Sequence, residues 1–181
     1  GGWAFSISAV FLLAMSGIYH ALYPGEWKDF FQRLDYAGIF ALITGTFAAI
    51  HVVYFKGWWR WGMISIVGGL SLVSMLIHLF YWDSIHFYVS LGIYLLIGWM
   101  GFFSFLKLRK MVDPSHLRYG SVGGVIYTVG TVFMILEQPI FIPGWFGHHE
   151  IWHLFVLGGL TMHMLFVHKG MEGELANERI S

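Results

Sequence analysis

Six long apolar runs, at roughly 3–23, 36–55, 61–82, 84–106, 119–136 and 151–168, alternate with short polar linkers. A membrane-crossing helix needs about 20 mostly apolar residues without charges, and each run meets or approaches that length. The apolar residues are continuous within each run and do not alternate with polar ones, which predicts helices and not the strands of a membrane barrel. The linkers, YPGEWKDFFQR, KGWWR, YWD, KLRKMVDPSHLR and EQPIFIPGWFGHH, are too compact to hold a water-soluble domain. The expected fold is all-α: a polytopic transmembrane helical bundle of six spans, with residues 1–181 as a single transmembrane helical domain.

Composition strengthens that picture. Of 181 residues, 57% are hydrophobic, 19% aromatic and only 11% charged, more apolar content than a soluble domain of this length hides in one core. Lys+Arg and Asp+Glu balance at ten each, so no basic surplus exists to attract nucleic acid. Cysteine is absent, which leaves His, Asp and Glu as the plausible metal donors. The first run lacks a basic flank and a small-residue cleavage motif, so it reads as a span and not as a removable signal. Glycines within the runs, Gly68-Gly69, Gly120 with Gly124, and Gly158-Gly159, are expected to let helices approach closely.

Against this background the ionisable residues stand out, because one at the centre of a bilayer helix costs roughly 2.5–3.5 kcal/mol on insertion scales. His20 closes the first run, Asp35 opens the second, and His149 and His153 open the sixth. The end of run one and the start of run two share a membrane surface. Four complete crossings later, the start of run six returns to it. His149 and His153 are separated by about 40° around a helix, and Ser16, one turn deeper than His20, points the same way as that histidine. Three imidazoles, a carboxylate and a hydroxyl are therefore placed at one depth. His51, His78, His86, His116 and His168 have no comparable partners and read as interfacial or loop residues. His148 faces away from the i, i+4 pair, and His163 lies too deep, so it reads as a packed core histidine.

These residues also carry a resemblance. SGIYHALYPGEWKDFFQRLDYAGIFALITGTF resembles the S-x-x-x-H and R/K-L-D-Y/H-x-x-I segment of the hemolysin III proteins, within the progestin and adipoQ receptor group that includes the adiponectin receptors. FGHHEIWHLFVLGGLTMH resembles the same family's last-helix signature, and GGVIYTVG a middle segment. The resemblance implies zinc held by His20, His149 and His153, with Asp35 reaching the metal through a bound water and Ser16 nearby. It also implies a seven-helix bundle, of which this chain is similar to helices two to seven.

Three neutral imidazoles leave tetrahedral zinc one open position, the arrangement of catalytic sites. Asp35 is placed to take a proton from metal-activated water. The expected activity is a zinc-dependent, ceramidase-like hydrolysis of lipid amides or esters, with a membrane lipid as substrate. Two alternatives stand beside it. One is a zinc-stabilised membrane receptor or cytolysin without turnover. The other takes His149-Glu150-Ile151-Trp152-His153 as the H-E-x-x-H of an intramembrane metalloprotease. Against it, the downstream acids Glu172 and Glu174 lie across the whole last span, roughly 30 Å away at about 1.5 Å per residue. The chain is expected in the cell membrane as a multi-pass protein. Its orientation has two readings. Lys28 and Arg33 on the histidine face oppose eight Lys and Arg, from Lys56 to Arg179, on the other, which by the positive-inside rule puts the metal outside. The resemblance implies zinc near the cytoplasmic surface.

Overall fold

The computed structural model describes residues 2–142 and 146–178, so Arg179 of the charge count lies outside them. Among the described residues the chain is helical: α1 (Gly2–Ala21), α2 (Glu26–Tyr54), α3 (Gly57–Phe80), α4 (Phe87–Trp99), α5 (Gly101–Leu108), α6 (Pro114–Leu136) and α7 (His148–Glu178). A 3-10 turn, Trp82–Ser84, joins α3 to α4. Six helical stretches among the described residues are long and apolar enough to cross a membrane, with α4 and α5 together making one of them. The polytopic helical architecture expected from the apolar runs is the one observed.

Boundaries differ from the runs where polar residues are helical too. α2 begins at Glu26, some ten residues before its apolar run, because Glu26 and Asp29 in its first turn suit the positive end of the helix dipole. Asp35 therefore lies inside a helix, not at its opening. α6 begins at Pro114, capped by Asp113, whose Oδ1 accepts from the Ser115 N–H at 2.8 Å. Hydrogen bonding from the Ser115 side chain, and then from its backbone N–H, holds the exposed Asp113 carboxyl below its ordinary pKa. α7 begins at His148, which brings His149 and Glu150 into its first turn.

The helices fall into two compact units, residues 1–97 and 98–181. In the first, α1 and α2 meet through glycines one apolar repeat apart. A methyl group added at Gly38 would lie 2.9 Å from Leu12 Cδ1, and one at Gly45 would lie 2.1 Å from Ser8 Oγ and 2.9 Å from the Ala4 carbonyl. Close approach of this kind substitutes for hydrophobic driving force in lipid. Arg60 ties α3 back to the end of α2 by donating to the carbonyls of Phe55 (2.6 Å) and Val52 (2.9 Å). α4 is anchored by ring contacts, Phe40 to Tyr94 at 4.7 Å, and by a His78–Ser90 hydrogen bond. Ile7, Val10, Val73 and Leu96 are exposed on the outside, as lipid-facing residues would be.

Two of the histidines expected at interfaces or in loops are corrected here. His51 and His78 are 1% and 0% exposed, inside α2 and α3. The apolar context misled because an imidazole can be satisfied in a helix interior by the carbonyl four residues back. His51 Nδ1 bonds to Phe47 O at 2.9 Å and His78 Nδ1 to Ser74 O at 2.8 Å.

In the second unit α6 and α7 again pack through glycine. Gly130 faces Phe155, where an added Cβ would sit 2.5 Å from that residue's own, and a Cβ added at Gly159 would lie 2.8 Å from the Tyr127 ring. Gly120 meets Phe166, but Gly124 has no described neighbour within 4 Å, so the GxxxG spacing does not act as a pair. His163 is a packed histidine as expected, bonded through Nε2 to Gly120 O at 3.2 Å and stacked on Tyr127.

Candidate metal centre

Each unit carries part of the candidate constellation. In the first, Ser16 is buried on α1 and Asp35, only 8% exposed, is buried on α2. The two helices bring them together: Ser16 is a side-chain hydrogen-bond partner of the Asp35 carboxylate. His20, one turn beyond Ser16, lies exposed in the last turn of α1 with its ring edge-on to Tyr19 at 4.7 Å. The α1–α2 turn is fixed around that ring pair. Tyr19 Oη accepts from Gln32 Nε2 at 3.0 Å, while Lys28 donates to Leu22 O at 2.9 Å and lies over the Tyr19 ring.

In the second unit, His149 and His153 occupy successive turns of α7, half-buried, with their Nε2 atoms 3.1 Å apart and their rings at 85°. Two nitrogens each about 2.0–2.1 Å from one tetrahedral zinc lie about 3.3 Å apart. The observed pair fits that spacing with only a small adjustment. The same distance also suits a hydrogen bond between two neutral rings, so metal analysis distinguishes the two.

Glu150 is otherwise engaged. Its Oε2 accepts from the Gly147 N–H at 2.8 Å, the reach of the third helical residue back to the cap in a capping box. The residue that a peptidase would use as its base thus stabilises the start of α7. His148, next to the pair, has a buried Nδ1 without a hydrogen-bond partner among the described residues. Glu172 forms an i, i+4 pair with His168 at 3.4 Å, far along α7 from His149.

One polar pairing was not anticipated. His78 Nε2 and Ser90 Oγ are 2.8 Å apart, joining α3 to α4 across the Trp82–Ser84 turn. The two residues fall in neighbouring apolar runs, and no local spacing signals that the turn folds them together.

Comparison with known proteins bears on all of these residues at once. The family described as Haemolysin-III related matches residues 3–164, which include Ser16, His20, Asp35, His149 and His153. The chain is 29% identical over 155 residues to the Hemolysin-3 homolog of Bacillus subtilis (strain 168), covering 86% of this chain and 70% of that one. It is 26% identical over 158 residues to Hemolysin-3 of Bacillus cereus, covering 87% and 69%. Against the Adiponectin receptor protein of Drosophila melanogaster it is 27% identical over 184 aligned positions, covering 88% of this chain and 40% of the receptor. The protein is therefore a multi-pass helical membrane protein. It belongs to the hemolysin III family, within the progestin and adipoQ receptor superfamily.

Proposed function

We propose that this protein is a zinc-dependent hydrolase of lipid amides or esters in the cell membrane, with His20, His149 and His153 as the metal ligands. The carrying observation is the His149–His153 pair, whose Nε2 separation of 3.1 Å fits two ligands of one tetrahedral ion. The topology supports His20 as the third ligand, since the end of the first span and the start of the sixth belong to the same membrane surface. Zinc in such a site supplies Lewis acidity, polarising an amide or ester carbonyl and acidifying water.

The chain's own residues supply the rest. Asp35, buried inside α2 beside Ser16, accepts the proton given up by the attacking water. Ser16 fixes the carboxylate's orientation by hydrogen bonding. Burial of both side chains limits access of bulk water to them. Capping by Glu150 speaks against reading the H-E-x-x-H string as a peptidase motif.

Metal analysis of the purified protein, followed by an assay against a panel of lipid amides, tests the reading. The expected result is about one zinc per chain, with hydrolysis abolished in His20→Ala and Asp35→Ala. Zinc without turnover would favour the receptor or cytolysin reading. Protein purified without zinc, or full amidase activity in His20→Ala, would refute the proposal.

A further inference from the structure

Between α2 and the start of α4 lies a cavity of about 240 Å³ walled by Tyr36, Trp82, Ile85, Phe87 and Ser90, all within the first unit. At about 30 Å³ per water, the space amounts to roughly eight waters, enough for an ester group with a few carbons on either side. Its walls include the turn that follows α3 and the first residue of α4, so it sits where the chain leaves and re-enters the apolar layer. The polar region outside the hydrocarbon core, where lipid acyl esters lie, is at that depth.

Ser90 is held in a specific protonation geometry. His78 Nδ1 is 2.8 Å from the Ser74 carbonyl, which can only accept, so Nδ1 carries the proton of the neutral ring. Nε2 is then a bare acceptor, and the Ser90 hydroxyl, 2.8 Å away, donates to it. The ring is fixed from its faces and edges by Phe40 at 5.1 Å, Tyr94 at 6.1 Å and Tyr36 at 6.3 Å. A hydroxyl hydrogen-bonded to a base, with the base oriented by a third group, is the arrangement of an activated nucleophile. Ser90 also lies in the first turn of α4, whose positive end suits the negative charge of a tetrahedral intermediate.

We propose that Ser90 and His78 form a second, metal-independent acyl-transfer site for an acyl ester. Ser90 Oγ attacks the ester carbonyl carbon as its proton passes to His78 Nε2. The bond from that carbon to the alkoxy oxygen breaks, and the departing alcohol takes the proton from His78. Water then attacks the acyl–Ser90 ester with His78 again as base, releasing the carboxylic acid and restoring the serine hydroxyl. His20, His149 and His153 take no part.

The test is to treat the purified full chain, in lipid nanodiscs and with a chelator present, with a fluorophosphonate probe and to locate adducts by peptide mass spectrometry. An adduct on Ser90 is expected, lost in Ser90→Ala, slowed about a hundred-fold or more in His78→Gln, and unaffected by the chelator. Protection of Ser90 by diacyl lipid but not by a short-chain soluble ester would assign the acyl group to the membrane, and the reverse would assign it to a water-soluble ester. A folded native protein without an adduct at Ser90 overturns the proposal whatever the variants do. Labelling of Ser90 at an equal rate in folded His78→Gln overturns it as well.

Discussion

His51 and His78 are almost fully buried and give their Nδ1 protons to carbonyls one turn back, Phe47 at 2.9 Å and Ser74 at 2.8 Å. His149 and His153, on α7, keep part of their surface and bring their Nε2 atoms to 3.1 Å of one another. All four sit in helices of an apolar protein, and composition alone does not separate them. What separates them is where the nitrogens are directed. A histidine bonded to its own helix through Nδ1 is fixed in place, and His51 is stacked besides between Phe47 at 5.4 Å and Phe55 at 4.9 Å. Two histidines on successive turns that converge on one point present donors to something held in common. Nδ1 thus anchors each buried ring to its own helix, leaving His78 Nε2 for the Ser90 hydroxyl, and the partly exposed, converging pair is suited to a shared ligand.

The strongest way to break that contrast is to exchange the consequences of losing one histidine of each kind. His153→Ala should lower zinc affinity by more than about 100-fold, the upper range for a merely supporting residue, while the metal-free protein melts close to the native apo form. His51→Leu should retain native zinc content but destabilise by about 1–3 kcal/mol, through the lost hydrogen bond and ring packing. Metal titration and thermal unfolding in the same detergent read both. If His51→Leu lost zinc and His153→Ala kept it, the distinction drawn from nitrogen geometry would be wrong.

A smaller effect sharpens the comparison within α7 itself. Glu150→Gln should leave zinc content and hydrolysis within about two-fold of native, because a glutamine carbonyl can still accept from the Gly147 N–H, as in capping boxes generally. Glu150→Ala should cost about 0.5–1 kcal/mol of stability from the lost cap. An intramembrane peptidase would instead lose all turnover in Glu150→Gln, which a peptide-cleavage assay would reveal.

Much of the architecture was legible because apolar runs of span length have one low-energy solution in a bilayer. The four ionisable residues of the proposed site could be picked out from sequence because charge is costly in a bilayer and the parity of crossings relates them. The start of α2 was not, because EWKDFFQR is charged, and only the packing of α1 against Gly38 and Gly45 shows how firmly that helix is seated. The bond of Glu150 to Gly147 was not legible, since it depends on α7 starting at His148, three residues before the apolar run. The His78–Ser90 pair was invisible because it is made by the geometry of the Trp82–Ser84 turn, which no periodicity encodes. The break between α4 and α5 at Met100 likewise interrupts a stretch that is uniformly apolar in sequence.

Zinc K-edge absorption on the purified protein and on His20→Ala addresses the shared-cation claim most directly. Three imidazole nitrogens at about 2.0–2.1 Å in the native protein, falling to two in the variant, is the result this account predicts. A native spectrum with two imidazoles or fewer, or one that His20→Ala leaves unchanged, would contradict it.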